Sequence, residues 1–519
     1  MCRASDHLRL FIEVVAIKIC GSGVAFSAVR GWCYTIPTIK ITQKQRIDNS
    51  WTDEEERRLV RKLDCIIPPL LILGFTALQF DRGNMGNAMT DFLLRDVGIS
   101  QGQFNVGQQL IALSVIVFEI PNNLLFYRFG PKIWLTGQMF AWGSAAAMQA
   151  LTRGKGFGPY VCLRVVLGLA EAGYSGSGLY TMTMWYKKNE TSKRFAVFYV
   201  GSAVAHAVSG LMATGILHMR GIAGLTGWQW LFIICGTFTV LAAGIFGLFL
   251  PDNPKNPVPY SGIRYFTAQE RHILVQRVLL DDPTKFKPHR HIRIKEVKGS
   301  LMDLKVLVHM VITIAGHAPS STMGSYAPSV VRSFGYDRIR SNAITSIGHW
   351  CLAINLMLWG IGADRFKRRG PLVSLGLFVW CMFAIGCLAA SYHHNKKVRL
   401  AVLLCGIAYS TAWHPTNASW VALNAKSPGE RSVRMGMMAM ASNIGSVVGS
   451  QIFQAHDKPR YHRGWAAIAS LLAFAFCVSI VANFQYWFLN RRLNKREEGG
   501  EVDAGEGVIA TGEKWRYSP

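Results

Sequence analysis

The sequence predicts an all-α membrane protein: twelve transmembrane helices in two pseudo-symmetric six-helix bundles. Three observations predict it. Of 519 residues, 50% are apolar and only 17% charged, and mean hydropathy is +0.21; a soluble chain of this length carries about 25% charged residues. Apolar runs of about 20 residues, long enough to cross a bilayer as helices, recur six times on each side of a polar, basic stretch at 251–302. Finally, Glu190-Thr-Ser-Lys-Arg194 follows the fourth run and Glu430-Arg-Ser-Val-Arg434 the tenth, sharing Glu-x-Ser-x-Arg 240 positions apart. Leu63-Asp64 and Met302-Asp303 open the two halves at nearly the same offset, the mark of an internal repeat.

Residues 1–62 are expected to form a cytosolic tail. Leu8 to Tyr34 is moderately apolar but broken by Glu13, Lys18 and Arg30, with no small-residue cleavage site after a clean apolar core. Trp51-Thr-Asp-Glu-Glu-Glu-Arg-Arg58 starts a polar helix that Thr52 or Asp53 can cap, with Glu54 to Glu56 at its positive end. The first bundle, 63–250, holds spans at about Leu63–Phe80, Val106–Phe126, Ile133–Leu151, Tyr160–Trp185, Phe195–Leu217 and Trp228–Leu250. Asp81-Arg-Gly-Asn-Met-Gly-Asn-Ala88 continues the first helix in polar form.

Pro251, Pro254, Pro257 and Pro259 then end the pattern and open the linker, 251–302, where Thr267-Ala-Gln-Glu270 reads as a capping box for a helix ending by Pro283. The second bundle, 303–489, holds spans at about Leu304–Val331, Ile344–Gly362, Leu372–Ser391, Leu400–Leu423, Met435–Phe453 and Trp465–Leu489. The charged, Gly-rich residues 490–519 are expected to be a disordered tail.

The formal net charge of +26 invites a nucleic-acid reading. Its basic residues are instead scattered through short connections, with no basic domain, so they are read as topology. Lys187-Lys188, Lys193-Arg194, Arg365-Phe-Lys-Arg-Arg369 and Arg491-Arg492 mark the cytosolic side and place both termini there, against Lys396, Lys397 and Arg399. The eleven cysteines include no CxxC pair, so no zinc site or disulfide framework is expected.

Charge inside the spans carries the functional signal. Arg164 and Glu171 are seven residues apart, close to two helical turns, and so share one face about 10 Å apart. Asp81-Arg82 ends the first apolar run. Intramembrane charges are costly unless paired or facing water, so these suggest a polar cavity, against the plainer reading of a structural tie between helices. Spans one, four, seven and ten are expected to line it. Glu119, before Pro121, is read as a kink or packing residue. His414-Pro415 interrupts span ten, with a cavity role or a structural kink as alternatives; His206, His317 and His349 are read as lone packed residues. Asn417-Ala-Ser419 and Asn189-Glu-Thr191 are glycosylation patterns inside a span and on the cytosolic side, where they go unused. In Gly360-Ile-Gly-Ala-Asp364-Arg365-Phe-Lys-Arg368-Arg369, glycine permits close helix approach, and the charges can hold the cytosolic end shut. The corresponding loop of the first half, Tyr127-Arg-Phe-Gly-Pro-Lys132, lacks the acid.

This loop, in a chain of six plus six spans, resembles the major facilitator superfamily. Asp81-Arg-Gly-Asn-Met-Gly-Asn-Ala88, Phe118-Glu-Ile-Pro-Asn-Asn123, Arg164-x4-Gly-Leu-x-Glu171-Ala-Gly, Trp228-Gln-Trp-Leu-Phe-Ile-Ile and Asp457-Lys-Pro-Arg-Tyr461 narrow the resemblance to the fungal allantoate permease group of anion:cation symporters, over about 51–495. The resemblance implies the major facilitator fold and proton-coupled movement of a small organic anion such as a vitamin acid, ureide or sulfonate. It implies that Arg82 and Arg164 bind the anion and that Asp81 and Glu171 carry protons; His414, in the span that faces span four by pseudo-symmetry, is added as a substrate-binding residue from its place in the chain. Gln229 and Cys235 depart from the group, where many members have Arg and Glu. A transporter is therefore expected rather than an enzyme, with no cofactor beyond the proton gradient, no metal and no nucleic-acid partner. It should be a monomer in the lipid bilayer of the plasma membrane. The rivals are an exporter of a fungal secondary metabolite and a nutrient sensor that no longer transports.

Overall fold

The computed structural model describes residues 51–498, except 90, 282–293, 337, 394, 426, 455–456 and 458–459. The expectations for 1–50, for Pro283 and for 499–519 lie outside the described residues. No strand occurs among the described residues; the regular elements are helices. The first half holds α1 (Asp53–Met89), α2 (Leu93–Val97), α3 (Gln101–Phe129), α4 (Pro131–Met148), α5 (Phe157–Glu171), α6 (Tyr174–Trp185), α7 (Thr191–Leu217) and α8 (Gly227–Phe249). The linker carries α9 (Ala268–Asp281) and α10 (Ile294–Leu301). The second half holds α11 (Leu304–Ser333), α12 (Arg338–Phe366), α13 (Arg369–Ser391), α14 (Lys396–Tyr409), α15 (His414–Leu423), α16 (Pro428–Gly449) and α17 (His462–Glu498).

Seven of these, α1, α3, α7, α8, α12, α13 and α17, are individually long and apolar enough to cross a membrane; α10 and α11, bent by 55° at their junction, make an eighth candidate. The remaining spans fall short for local reasons. Spans four and ten are each split in two, as α5 with α6 and α14 with α15, while α4, with Lys132, Gln138 and many small residues, and α16, with Glu430, Arg431 and Arg434, are not apolar enough along their length. Leu241, Ile354 and Phe484 stand on helix surfaces with 62–66% of their area exposed, an apolar belt suited to lipid rather than water.

Two boundaries differ from expectation, whereas the polar helix expected from Trp51 onward is continuous with the first span, α1 running unbroken from Asp53 through Pro68-Pro69. The last helix extends to Glu498, nine residues into the expected tail. Span four is broken at Ala172-Gly173, where an apolar run had implied one helix from Tyr160 to Trp185.

The two halves repeat one packing scheme. Contacts α1 with α7, α1 with α8, α3 with α5, and α4 with α8 recur as α11 with α16, α11 with α17, α12 with α14, and α13 with α17. Cross-contacts between halves are paired likewise: α7 meets α12 and α15, while α16 meets α3 and α6. The sequence repeat has a structural counterpart. Arg194 donates to both oxygens of Asp64, at 3.0 and 2.7 Å, and Arg434 donates to Asp303 at 2.9 Å. Each pair ties the start of its half's first span to the start of its fifth. Each half also has its own apolar core, around Trp142, Trp185 and Phe198 in one and Trp380, Trp413 and Trp465 in the other.

The linker docks through charge. Thr267 and Glu270 form the expected capping box, at 2.8 and 3.2 Å. Buried Arg277 donates to Glu56 and Glu190, and Lys62 pairs with Glu270 at 2.8 Å. Burial would raise the Glu270 carboxyl, but hydrogen bonds from Lys62 and Thr267 outweigh it and hold the group below its usual range.

Candidate functional site

The break in span four organises the first half of the site. Gly173 adopts φ +82°, a left-handed conformation that glycine permits at little cost. A broken helix frees backbone groups that must find partners away from water, and the motif Phe118-Glu-Ile-Pro-Asn-Asn123 supplies them. Glu119 Oε2 accepts from the Gly173 amide at 2.9 Å, and Asn122 Nδ2 donates to the Leu169 carbonyl at 3.0 Å. Gln138 donates to the Ala172 carbonyl at 2.6 Å. Glu119, 1% exposed, is thus the structural residue that the sequence suggested.

The break leaves Glu171 at the end of α5, and its partner is not the one its spacing implied. Arg82 Nε donates to Glu171 Oε2 at 2.8 Å; Glu171 Oε1 is buried with no hydrogen-bond partner among the described residues. Arg82 also reaches the second half, donating to Asn443 Oδ1 on α16 at 3.3 Å, and a third of its side chain stays accessible. Arg164 is held instead within the first bundle, by Gln108, by Gln149 at 3.0 Å and beside the Tyr160 ring. The shared face of Arg164 and Glu171 is real, but each charge pairs with a different neighbouring helix. Asp81 likewise turns away from Arg82, accepting from Thr239 on α8 at 3.2 Å, as adjacent positions on a helix must point about 100° apart.

The contact between the halves brings imidazoles, three from the second half and His206 from the first. His414 opens α15 after the predicted interruption and is 1% exposed. Its Nε2 lies 3.0 Å from Tyr199 Oη on α7 and 3.3 Å from Ser442 Oγ on α16. The His317 ring is 5.6 Å from that of His414, and His206 stacks on His349 at 5.5 Å. Reading these three histidines as isolated packed residues is therefore corrected: they come from α11, α7 and α12 and meet where the halves face one another. Their only sequence signal is that each falls inside a span; no local spacing links them.

At the Lys- and Arg-rich end, Asp364 accepts from the backbone amides of Ser192 and Lys193, at 3.0 and 2.8 Å, across the contact between α7 and α12. Arg369 donates to Ser192 Oγ at 2.9 Å and to the Lys188 carbonyl at 3.0 Å, and Ser192 Oγ meets Ser419 Oγ at 2.9 Å. A Cβ on Gly360 would come within 2.5 Å of Ala196 Cβ, so only glycine permits this approach. Gly360, Asp364 and Arg369 are thus brought together, whereas Arg365 and Arg368 are exposed and make none of these bonds. Two further positions find structural roles. Gln229 closes a capping box with Thr226 at 3.0 Å and donates to the Ala150 carbonyl at 2.8 Å. Asn417 is buried against His309 and Thr313.

The comparisons agree with this architecture. An uncharacterized transporter of Saccharomyces cerevisiae is 28% identical over 454 residues, covering 86% of this chain and 83% of its own. A putative tartrate transporter of Agrobacterium vitis is 25% identical over 324 residues, 62% of this chain and 69% of its own. Among solved structures, the proton:xylose symporter XylE superposes with a TM-score of 0.63 at 15% identity, covering 81% of this chain and 94% of its own. Residues 71–450 match the family described as the Major Facilitator Superfamily, and the chain belongs to that superfamily as a membrane transporter.

Proposed function

We propose that this transporter is a proton-coupled symporter of a small organic anion, of the fungal allantoate permease group, working in the plasma membrane with both termini in the cytosol. The observation that carries the reading is the Arg82–Glu171 pair at the contact between the halves. Arg82 is the accessible fixed cation there, and Glu171 occupies it at 2.8 Å. An arriving carboxylate must compete with Glu171 for one guanidinium, which binds carboxylates through paired N–H groups. Protonating Glu171 frees Arg82 for the anion; deprotonating it reclaims Arg82 and expels the anion. Proton and anion then move together without any further coupling part. The name of the Agrobacterium relative, a putative tartrate transporter, supports an organic anion as cargo.

In this reading Arg164 and Asp81 set the shape and field of the first bundle rather than touching cargo, and His414 faces the anion from the second half. Asp364, Arg369 and Gly360 form the cytosolic gate, and their contacts across α7 and α12 support that role.

The test is transport by the purified protein in liposomes, with labelled nicotinate, allantoate, tartrate and isethionate. Accumulation should occur with pH 5.5 outside and 7.5 inside, and vanish at equal pH. Glu171→Gln keeps the shape but cannot release a proton, so it should exchange anion across the membrane without accumulating it. Normal accumulation by Glu171→Gln would show that coupling lies elsewhere.

A further inference from the structure

The Arg82–Glu171 pair offers cargo a single positive charge, and only when Glu171 is protonated. Opposite it stand four imidazoles, of which the reading above uses only His414. His206 and His349 face each other across the two halves, their ring planes 9° from parallel. Each commits Nδ1 to the carbonyl four residues back on its own helix, Ser202 at 2.8 Å and Thr345 at 3.1 Å. A carbonyl can only accept, so Nδ1 carries the hydrogen and Nε2 keeps its lone pair. Both rings are therefore held in the tautomer that can take a proton at Nε2. Behind them, the buried Nδ1 atoms of His317 and His414 have no hydrogen-bond partner among the described residues.

The charged and titratable groups around this set are few. They are Arg82 from α1, Glu171 behind it from α5, and Tyr199 from α7, which lies near Glu119 of α3. From α16 come only the neutral Ser442 and Asn443. No set of three His, Cys, Asp or Glu among the described residues converges on a metal position, and parallel stacked rings do not aim their lone pairs at one point.

We propose that His206, His317, His349 and His414 form a second anion subsite that takes up a proton as it fills, and that the cargo is a small dianion. Its near anionic group binds Arg82 and its far group binds the histidines. The inference rests on the symport reading above and names its cargo class. The physical reason is charge balance: a second carboxylate held away from bulk water without a counter-charge is strongly disfavoured. Two stacked imidazoles cannot share added positive charge without an anion close by. Carboxylate binding and imidazole protonation therefore favour each other, by linkage.

The experiment uses the purified full-length protein and matched pairs of anions that stay fully ionised at both pH values and differ by one sulfonate: ethane-1,2-disulfonate against ethanesulfonate, and benzene-1,2-disulfonate against benzenesulfonate. Affinities are measured at pH 5.5 and 7.5, and proton uptake is followed in weakly buffered solution with an indicator dye. The wild type should bind each dianion at least tenfold more tightly than its matched monoanion at pH 5.5. That advantage should shrink about tenfold at pH 7.5, and dianion binding should take up one proton more than monoanion binding. In His206→Gln, and separately in His349→Gln, the dianion advantage and the extra proton should both be lost. Among the described residues each ring's hydrogen bond goes to its own helix carbonyl, so two independent single variants keep the test open if one fails to fold. Equal affinity within the matched pairs, or an unchanged advantage in both variants, would overturn the dianion subsite and leave the symport reading standing. Failure of every anion to bind at either pH would overturn both.

Discussion

Spans four and ten are interrupted at Gly173 and Trp413, positions 240 apart, but the two interruptions are built from different chemistry. In the first half the chain turns through a left-handed glycine, and Glu119, Asn122 and Gln138 collect the freed backbone groups. In the second half, residues 410–413 turn on their own backbone hydrogen bonds, such as the His414 amide to the Thr411 carbonyl at 3.1 Å. The Trp413 side chain there is wedged against Gly316 and Gly376. One half holds its break with an acid and amides, the other with an indole. The groups around the centre divide in a similar way: the carboxyl and guanidinium groups of Asp81, Arg82, Arg164 and Glu171 come from the first half, and three of the four imidazoles, His317, His349 and His414, from the second, with His206 on α7 of the first. A repeat fold thus keeps its backbone scheme while each copy takes on a separate electrostatic task. On the proposed function, the first copy supplies both the cation that holds the anion, Arg82, and the proton switch, Glu171, and the second copy faces them with imidazoles.

The largest expected effect comes from testing that division at related positions. Arg82→Ala removes the central cation and strands Glu171; truncating one partner of a buried charged contact costs about 2–5 kcal/mol. Anion affinity should fall by at least thirtyfold. Thr322→Ala, 240 positions on, removes only a hydroxyl bonded to the Gly449 and Ala318 carbonyls, and should cost less than threefold. Comparable losses in the same binding titration would erase the asymmetry.

Next come the breaks themselves. Alanine at Gly173 must adopt φ +82° and place a Cβ 2.9 Å from that of Asn122. Left-handed backbone alone costs a residue with Cβ about 1–2 kcal/mol, and the crowding adds to it. Thr411→Ala at the second break meets neither obstacle. Thermal inactivation in detergent should show Gly173→Ala clearly destabilised and Thr411→Ala close to wild type; the reverse order would mean that the glycine is not what permits the first break.

A smaller effect is expected at the gate. Asp364→Asn can still accept from one of the Ser192 and Lys193 amides but not well from both, a loss of about 1.5 kcal/mol for a charge-assisted bond. Turnover should slow about tenfold while equilibrium anion affinity stays within threefold. An equal fall in affinity would place Asp364 in the binding site instead. The smallest effect belongs to Arg365→Gln, less than twofold in turnover, because Arg365 is exposed and bonds neither half's gate residues.

The sequence by itself determined whatever depends on local chemistry. Hydropathy marked the spans, the Glu-x-Ser-x-Arg repeat marked the two halves, Thr267 and Glu270 marked their helix start, and His414-Pro415 marked the second break. Each of these is decided within one helix or one turn. Tertiary structure alone decided which charges meet. Glu171 pairs with Arg82, 89 residues away, rather than with Arg164 on its own face; Arg82 reaches Asn443 across 361 residues. Arg369, and neither Arg365 nor Arg368, enters the gate, and four histidines from four spans gather at one contact. Spacing gives the face a residue occupies, but the rotation of each helix about its own axis, set by packing against several neighbours at once, decides what that face meets. The break in span four was hidden for the same reason: the groups that make it tolerable, Glu119, Asn122 and Gln138, lie on two other helices.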